Sequence, residues 1–281
     1  MASCFFISDL HGRPDRYEKL FRLIREHRPE IVLFGGDLLP HGHYRQLEND
    51  FTEDFLFRHL SVLQAELGAA YPKVYIILGN DDPRTEERAL LDLSETGVWD
   101  YLHNRKDDFR GFTFYGYANV PPTPFRFKDW ERYDVSRYVD PGCFPPEEGF
   151  RTMEPDTDLA YATIMDELKF LTGEAPMDNV IFLFHSPPYQ TLLDRAALDG
   201  KMIDHVPMDL HVGSIAIMRF IEERQPWITL HGHIHESSRI TGQWRQQFGR
   251  THAFSAAWDG PELAVVVFDT DRPADAERWL I

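Results

Sequence analysis

The sequence predicts an α/β fold made of βαβ units. Short apolar runs alternate with amphipathic helical patterns along most of the 281 residues, as expected when strands and helices follow each other in turn. Clusters of polar side chains come directly after five of the apolar runs. In open α/β sheets the carboxyl ends of the strands form the ligand crevice, so these clusters are expected to converge.

Each element follows from the period of its apolar residues. Strands are predicted over 3–8, 31–34, 74–78, 112–117, 180–184 and 227–230. Helices are predicted over 15–27, through Leu56, Leu60, Leu63 and Leu67, and over 85–93, 159–171 and 213–224. A last β pair, 251–255 with 262–268, is predicted across the turn Asp259-Gly260-Pro261.

Residues 121–155 interrupt this pattern, because they are rich in proline, aromatic and charged residues and show no clean period. We therefore expect one domain over 1–281 with an insertion at about 121–155, either an ordered, functional flap or a plain surface excursion. Its aromatic residues are candidates for a wall around a ring or for a dimer contact, and they are Phe125, Phe127, Trp130 and Tyr133.

The net charge of −17 argues against sequence-blind binding to nucleic acids or anionic membranes, since both need a basic surface. A cleft that holds divalent cations escapes this argument, because the ions outweigh nearby carboxylates. Cys4 and Cys143 are too few for a disulfide framework, which favours a reducing compartment. No run approaches the ~20 apolar residues of a membrane span, and the run before Ser8 is too short for a signal peptide. We expect a cytoplasmic location.

The five polar clusters share residue types that ligate metals. They are Asp9-Leu10-His11-Gly12, Gly35-Gly36-Asp37, Gly79-Asn80-Asp81-Asp82, His185-Ser186-Pro187-Pro188 and His231-Gly232-His233-Ile234-His235. Residues two apart in an extended segment point the same way, so Asp9 and His11 can chelate one ion. A set of imidazoles and carboxylates suits Mn²⁺, Fe, Zn²⁺ or Ni²⁺ better than Ca²⁺.

In this order the clusters resemble the signature D-x-H, G-D, G-N-H-[DE], H, G-H-x-H of the calcineurin-like metallophosphoesterase superfamily. The match runs from Asp9 to His235. The segments 121–125 and 128–131 further resemble a branch of small prokaryotic-type phosphoesterases. The resemblance implies a four-layer α-β-β-α sandwich of two mixed sheets, with a metal site at the carboxyl ends of the strands.

The resemblance also implies two divalent metal ions, with Mn²⁺ favoured and Fe, Zn²⁺, Ni²⁺ or Mg²⁺ as alternatives. One ion would be bound by Asp9, His11 and His235, the other by Asn80, His185 and His233, and both by Asp37. A hydroxide shared by the ions would attack the phosphorus of a phosphomonoester or phosphodiester, and Asn80 would also contact the phosphate. The implied partner is a small phosphate ester; a homo-oligomer is left open.

One position departs from the signature. Asp81 stands where the family has the histidine usually assigned to protonating the leaving oxygen, giving Gly-Asn-Asp in place of Gly-Asn-His. Asp81 can act as that acid only if its pKa rises substantially. We hypothesise that another group supplies the proton: His41 and His43 are the nearest by sequence, and His205 and His211 lie in a later loop.

Three assignments remain open at this point. A metal-binding scaffold or regulator with weakened catalysis is the alternative to an active phosphoesterase, and a nuclease is less favoured because of the charge. Arg13 could hold a phosphate oxygen with its planar guanidinium, or form an ion pair with a surface carboxylate. His231, next to the last cluster, is expected to pack or to hydrogen-bond at the strand end.

Overall fold

Two six-stranded mixed sheets form the centre of the computed structural model, which describes residues 2–40, 50–155 and 157–281. The first sheet contains, in spatial order, β14 (Glu277–Leu280), β13 (Ala264–Asp269), β1 (Ser3–Ile7), β2 (Ile31–Gly35), β3 (Lys73–Ile77) and β4 (Asp100–Tyr101). Strands β1 to β4 run parallel, and β13 and β14 are antiparallel to their neighbours.

The second sheet is also mixed, but its antiparallel strands lie at opposite edges. In spatial order it contains β11 (Arg245–Phe248), β12 (Thr251–Ser255), β10 (Ile228–His231), β7 (Val180–Phe184), β6 (Phe112–Tyr117) and β5 (Arg105–Phe109). The four inner strands are parallel, and β5 and β11 pair antiparallel at the two edges. A separate two-stranded hairpin is formed by β8 (Met202–Ile203) and β9 (Val206–Pro207).

Helices cover the sheets. They are α1 (Pro14–His27), α2 (Arg58–Leu67), α3 (Glu86–Ser94), α4 (Ile164–Thr172), α5 (Ile215–Arg224) and α6 (Ser237–Thr241), and a π-helical segment (Phe51–Phe57) leads directly into α2. Short 3₁₀ turns occupy Gly68–Ala70, Pro146–Glu148 and Pro273–Asp275. Among the described residues, no helix combines the length and hydrophobicity needed to cross a membrane.

The alternation along β7 shows how the layers pack. Ile181 and Leu183 belong to the core that both sheets share with α1, α2 and α3, whereas Phe182 and Phe184 belong to a second core beneath α4 and α5. Successive strand residues point to opposite faces, so a strand that is apolar throughout can bury both faces. The fold is therefore the α-β-β-α sandwich that the sequence resemblance implied.

The predicted pair between 251–255 and 262–268 is wrong. Strand β12 pairs with β10 and β11 in the second sheet, whereas β13 pairs with β1 and β14 in the first. The turn signal at Asp259-Gly260-Pro261 indicates a change of direction, but distant strands decide the pairing. Strand β5 was not predicted, since its sequence RKDDF is a charged edge strand without an apolar alternation.

Helix α4 begins five residues later than predicted, at Ile164 rather than 159. The reason is a capping interaction: the Thr163 hydroxyl accepts a hydrogen bond from the Asp166 amide at 3.1 Å. Such a bond satisfies one of the unpaired amides in the first helical turn, and therefore fixes where the helix starts.

Residues 121–155 are anchored by buried polar contacts. The Lys128 ammonium donates to the Glu131 carboxylate at 2.5 Å and to the Thr123 carbonyl at 2.9 Å, and the Lys128 and Glu131 side chains are 0% and 1% exposed. Trp130 is fully buried, and its indole N–H donates to the Asp82 carbonyl at 2.8 Å. The Lys128 contacts tie the segment to itself, and because Asp82 lies in the loop after β3, the Trp130 contact holds the segment against the carboxyl ends of the strands.

Replacing Glu131 tests this anchor. We expect Glu131→Ala to lower the free energy of unfolding by about 3 kcal/mol or more, because the Lys128 ammonium would stay buried without a carboxylate. Denaturant unfolding measures the change. Asp92→Ala is the control: it breaks the exposed Arg88–Asp92 pair and should cost about 0.5 kcal/mol or less. Equal small losses in both variants would contradict a stabilising role for the buried pair.

Candidate active site

The carboxyl ends of five strands bring the predicted ligands together. The side-chain atoms that could bind a metal form two groups, and within each group all of them lie within 4.8 Å of one another. The first group is Asp9, His11, Asp37 and His235; the second is Asp37, His185 and His233. Asn80 adjoins the second group, since its Oδ1 lies 3.0 Å from His185 Nε2. Asp37, 2% exposed, belongs to both groups.

In the first group the ring nitrogens converge with a carboxylate. His235 Nε2 lies 3.1 Å from Asp9 Oδ1 and 3.2 Å from His11 Nε2. Asp9 is oriented from behind by the Ser8 hydroxyl, which donates to Oδ2 at 2.5 Å, and by the His233 amide, which donates to Oδ1 at 3.0 Å. Hydrogen bonds of this kind fix ligand orientation in metal sites.

The second group shows why a cation fits. His185 Nδ1 lies 2.8 Å from the Gly35 carbonyl, which can only accept, so Nδ1 carries the proton. In the neutral ring Nε2 then carries a lone pair and no proton, yet it lies 3.3 Å from Asp37 Oδ2 and 3.0 Å from Asn80 Oδ1. Three electron-rich atoms facing one another need a proton or a metal ion between them. The donor set therefore fits a divalent cation.

His231 provides the contrast. It is as buried as His185, but its Nδ1 donates to the Ser186 carbonyl at 2.9 Å and its Nε2 accepts from the Thr229 hydroxyl at 2.9 Å. Burial lowers the pKa of His231 to about 4, so the ring stays neutral. It is a structural histidine, hydrogen-bonded at the strand end as the sequence predicted.

Four of the predicted ligands have a left-handed backbone. The φ angles are 57° at Asp9, 48° at His11, 53° at Asp37 and 73° at His233. Non-glycine residues held in this region cost about 1–3 kcal/mol each and concentrate at functional sites. Backbone hydrogen bonds support this conformation, including His11 N–H to the Asp37 carbonyl at 2.8 Å. No sequence pattern indicated this strain.

The charges of the two groups are strongly coupled. Burial alone would lower the pKa of His185, but the charge and hydrogen bond of Asp37 outweigh it and raise that pKa to about 10. Burial is likewise outweighed at His235, where Asp9 raises the pKa to about 9. At Asp9, burial opposes the shift but His235 lowers the pKa to about 2. In the metal-free protein, protons thus provide the positive charge that the carboxylates need.

Asp81 lies at the edge of this site. Its amide donates to Asp37 Oδ1 at 2.8 Å, and its carboxylate accepts from Asn80 Nδ2 at 3.1 Å. Burial, together with the charge of Asp37, raises the pKa of Asp81 to about 7. In the metal-free protein the pKa of Asp81 is therefore raised, as an acid at this position requires. Metal ions bound nearby would lower this pKa again.

Asp82 has a role that the sequence did not indicate. It is fully buried, and its carboxylate accepts from the amides of Gly79, Leu38 and Leu39 at 2.9, 3.1 and 2.8 Å. These amides belong to the loops that carry Asn80 and Asp37, so Asp82 fixes the two loops relative to each other. A single acidic residue in a motif gives no sequence signal for such a contact.

A cavity of about 640 Å³ opens from the ligand groups, with Asp37, Asn80, His233 and His235 in its lining. Its apolar walls come from the insertion and from residues 189–213, through Pro121, Phe125, Tyr138, Leu198, Met208 and Val212. Phe125 lines the cavity, whereas Phe127 stacks on Phe150 with 5.4 Å between the ring centroids. Sequence reasoning missed the wall formed by 189–213, which carries no recognisable motif.

Arg13 is a predicted site residue that the structure places outside the cavity. Arg13 is paired with Asp15 at 3.0 Å and does not line the cavity, so the ion pair left open by the sequence is present and the phosphate contact stays a prediction. His41 and His43 lie outside the described residues.

Comparisons with known proteins agree with this geometry. The family model for calcineurin-like phosphoesterases matches residues 3–237. One solved structure covers 100% of this chain and 98% of its own at 20% identity and a TM-score of 0.61. The protein TT1561 of Thermus thermophilus is 17% identical over 99% of this chain and 98% of its own, with a TM-score of 0.58. Identities this low show a shared fold. No curated protein sequence matches significantly.

The raised pKa of His185 predicts a pH dependence of stability in the metal-free protein. The folded-state pKa of about 10 lies above the ordinary value of 6.5, so the stabilisation is complete below pH 6.5 and is lost as the pH rises towards 10. When a chelator is present to keep the protein metal-free, the difference in unfolding free energy between wild type and His185→Ala should shrink as the pH rises from 7 to 9. The decrease should be up to about 1.4 kcal/mol per pH unit.

Denaturant unfolding at each pH measures this difference, and His231→Ala is the matched control. The pKa of His231 is lowered to about 4, so its contribution should stay constant from pH 7 to 9 and change only in acid. A constant difference for His185→Ala over the same range would contradict the coupling of His185 with Asp37.

Proposed function

Because this chain belongs to the calcineurin-like phosphoesterase family, we propose that it hydrolyses small phosphate esters, mono- or diesters, at a dinuclear metal centre. The observation that carries the proposal is the pair of ligand groups that share the buried carboxylate of Asp37. A shared carboxylate between two sets of imidazole and oxygen ligands is the arrangement that places two metal ions side by side.

The residues would divide between the ions as the two groups do. One ion would be held by Asp9, His11 and His235, the second by Asn80, His185 and His233, and Asp37 would contact both. When bound, the pair of ions supplies an activated water and neutralises charge on the phosphoryl oxygens. Mn²⁺ is our first choice, because mixed imidazole and carboxylate ligands suit it.

The chain's own contribution is to hold these ligands in one geometry. The Gly35 carbonyl sets the tautomer of His185, the Asp81 amide positions Asp37, and Ser8 orients Asp9. Partners of this kind typically change metal affinity or activity by about 10–100-fold when they are lost. The ligands are thus held by the chain's own hydrogen bonds, and the adjoining cavity offers space for the ester.

The cavity favours a small ester over a nucleic acid. Its apolar walls can accept an organic group, and its volume of about 640 Å³ is that of a small-molecule site. Among the described lining residues none is lysine or arginine, whereas Asp140, Asp209 and Glu236 are acidic. A polyphosphate backbone would be repelled. A steep loss of activity with added salt would instead favour the nuclease.

A scaffold without catalysis is the other candidate, and Asp81 is the observation that favours it. The complete set of seven ligands argues against it, because a decayed site does not need to keep them. The two functions are separated by activity rather than by metal content, since both would bind ions.

The first test is therefore hydrolysis of p-nitrophenyl and bis-p-nitrophenyl phosphate with Mn²⁺. We expect Asp37→Asn to lower the rate by about 100-fold or more, because both ions would lose a ligand. Asp54→Asn, an exposed substitution on the π-helical segment, should leave the rate unchanged. A wild-type rate no higher than that of Asp37→Asn would favour the scaffold.

The second test concerns the cavity wall. Removing the ring in Phe125→Ala should raise KM for bis-p-nitrophenyl phosphate by about 3- to 10-fold with little change in kcat, since the ring contacts the organic group alone. Phe127→Ala is the matched control, because this ring stacks on Phe150 and does not line the cavity. Steady-state kinetics that show the same KM for both variants would exclude Phe125 from the substrate wall.

A further inference from the structure

A histidine and a buried aspartate form a pair in the wall of the cavity. Asp194 Oδ1 lies 2.7 Å from His211 Nδ1, and the Asp194 side chain is 0% exposed. The amides of Gln190, Thr191 and Gly213 donate to the same carboxylate at 2.9, 2.8 and 3.2 Å. Asp194 is thus fixed in orientation, and it holds the Nδ1–H tautomer and the ring of His211.

The loop that carries Asp194 and His211 is hydrogen-bonded to the two segments that follow the proposed ligands His185 and His235. Two residues after His185, the Pro187 carbonyl accepts from the Ser214 amide at 2.9 Å. Two residues after His235, the Ser237 hydroxyl accepts from the amide of Arg195, which is the backbone bridge partner of His211. His211 is therefore held between the segments that follow β7 and β10.

His211 also faces the space in which the ester would lie. Its side chain is 31% exposed, and it lines the cavity together with Asp37, Asn80 and His233. Among the described residues it is the one histidine outside the proposed ligand set that lines this cavity. His205, by contrast, is an exposed residue between β8 and β9 and does not line it.

We propose that His211, oriented by Asp194, protonates the leaving oxygen of the ester, the task that the signature gives to a histidine where this chain has Asp81. The proposal rests on the proposed function, since it requires ester hydrolysis at the site. As water adds its oxygen to phosphorus and releases a proton to solvent, the bond to the leaving oxygen breaks and its electron pair takes the proton from His211 Nε2. Solvent then reprotonates the neutral imidazole.

The surroundings of His211 suit this role. Asp194 lies against Nδ1, Asp209 accepts from the His211 amide at 2.8 Å, and the Tyr189 ring is 6.3 Å from the imidazole. The neighbouring cation Arg195 is directed to the Ala196 carbonyl and to Asp199. These contacts fix the ring through its Nδ1 side and leave Nε2 as the nitrogen that can donate to an ester.

The experiment compares esters that differ in their leaving alcohol. General acid catalysis is worth about 10²–10⁴-fold, and it matters most when the leaving alcohol is weakly acidic. With Mn²⁺, His211→Ala should change kcat/KM for p-nitrophenyl phosphate by about 3-fold or less but lower kcat/KM for alkyl phosphates by about 10²-fold or more. The fall in rate on the alkaline side of the wild-type pH profile for alkyl esters should also disappear.

Two further variants keep the test sharp. His211→Gln retains an N–H donor towards Asp194 and should reproduce the selective loss in a folded protein, and His205→Gln should behave as wild type. An equal loss for all esters, or no loss for any, would overturn the proposal while leaving the phosphoesterase function intact. A wild-type protein that hydrolyses no ester at all would instead overturn the proposed function itself, and this proposal with it.

Discussion

The buried carboxylate of Asp37 is the constraint on which the rest of the site depends. A carboxylate without solvent is stable only when positive charge or hydrogen-bond donors surround it. His185 and the Asp81 amide supply part of this, and the left-handed backbone at Asp37 aims it between the two groups. Glycine at position 79 leaves room for this carboxylate, because a Cβ there would lie 2.3 Å from Asp37 Oδ1.

The insertion and the ligand loops are parts of one unit, joined at Asp82. Its carboxylate binds the loops after β2 and β3, while its carbonyl accepts from the buried Trp130 of the insertion. Asp82 therefore contacts both the segment that contributes to the cavity wall and the loops that carry the candidate ligands.

Much of the site could be predicted from the sequence, because the strands are short apolar runs and their polar successors follow at once. That signal is local, and it located Asp9, Asp37, Asn80, His185 and the pair His233 and His235. What the sequence could not show depends on contacts between distant segments. Tertiary packing decides which sheets β12 and β13 join, and it also sets the three amide contacts of Asp82 and the second wall of the cavity. Such packing leaves no periodic pattern in the sequence.

The two ligand groups draw on both sheets, from Asp9 after the first strand to His235 after the tenth. During synthesis on the ribosome, strands β1 and β2 therefore emerge with Asp9, His11 and Asp37 long before the residues that complete the two groups. The first group needs the segment after β10, and the second needs the segments after both β7 and β10. Binding of the proposed ions would thus be a late event in folding, and an ion-loaded centre would report that the two sheets have docked.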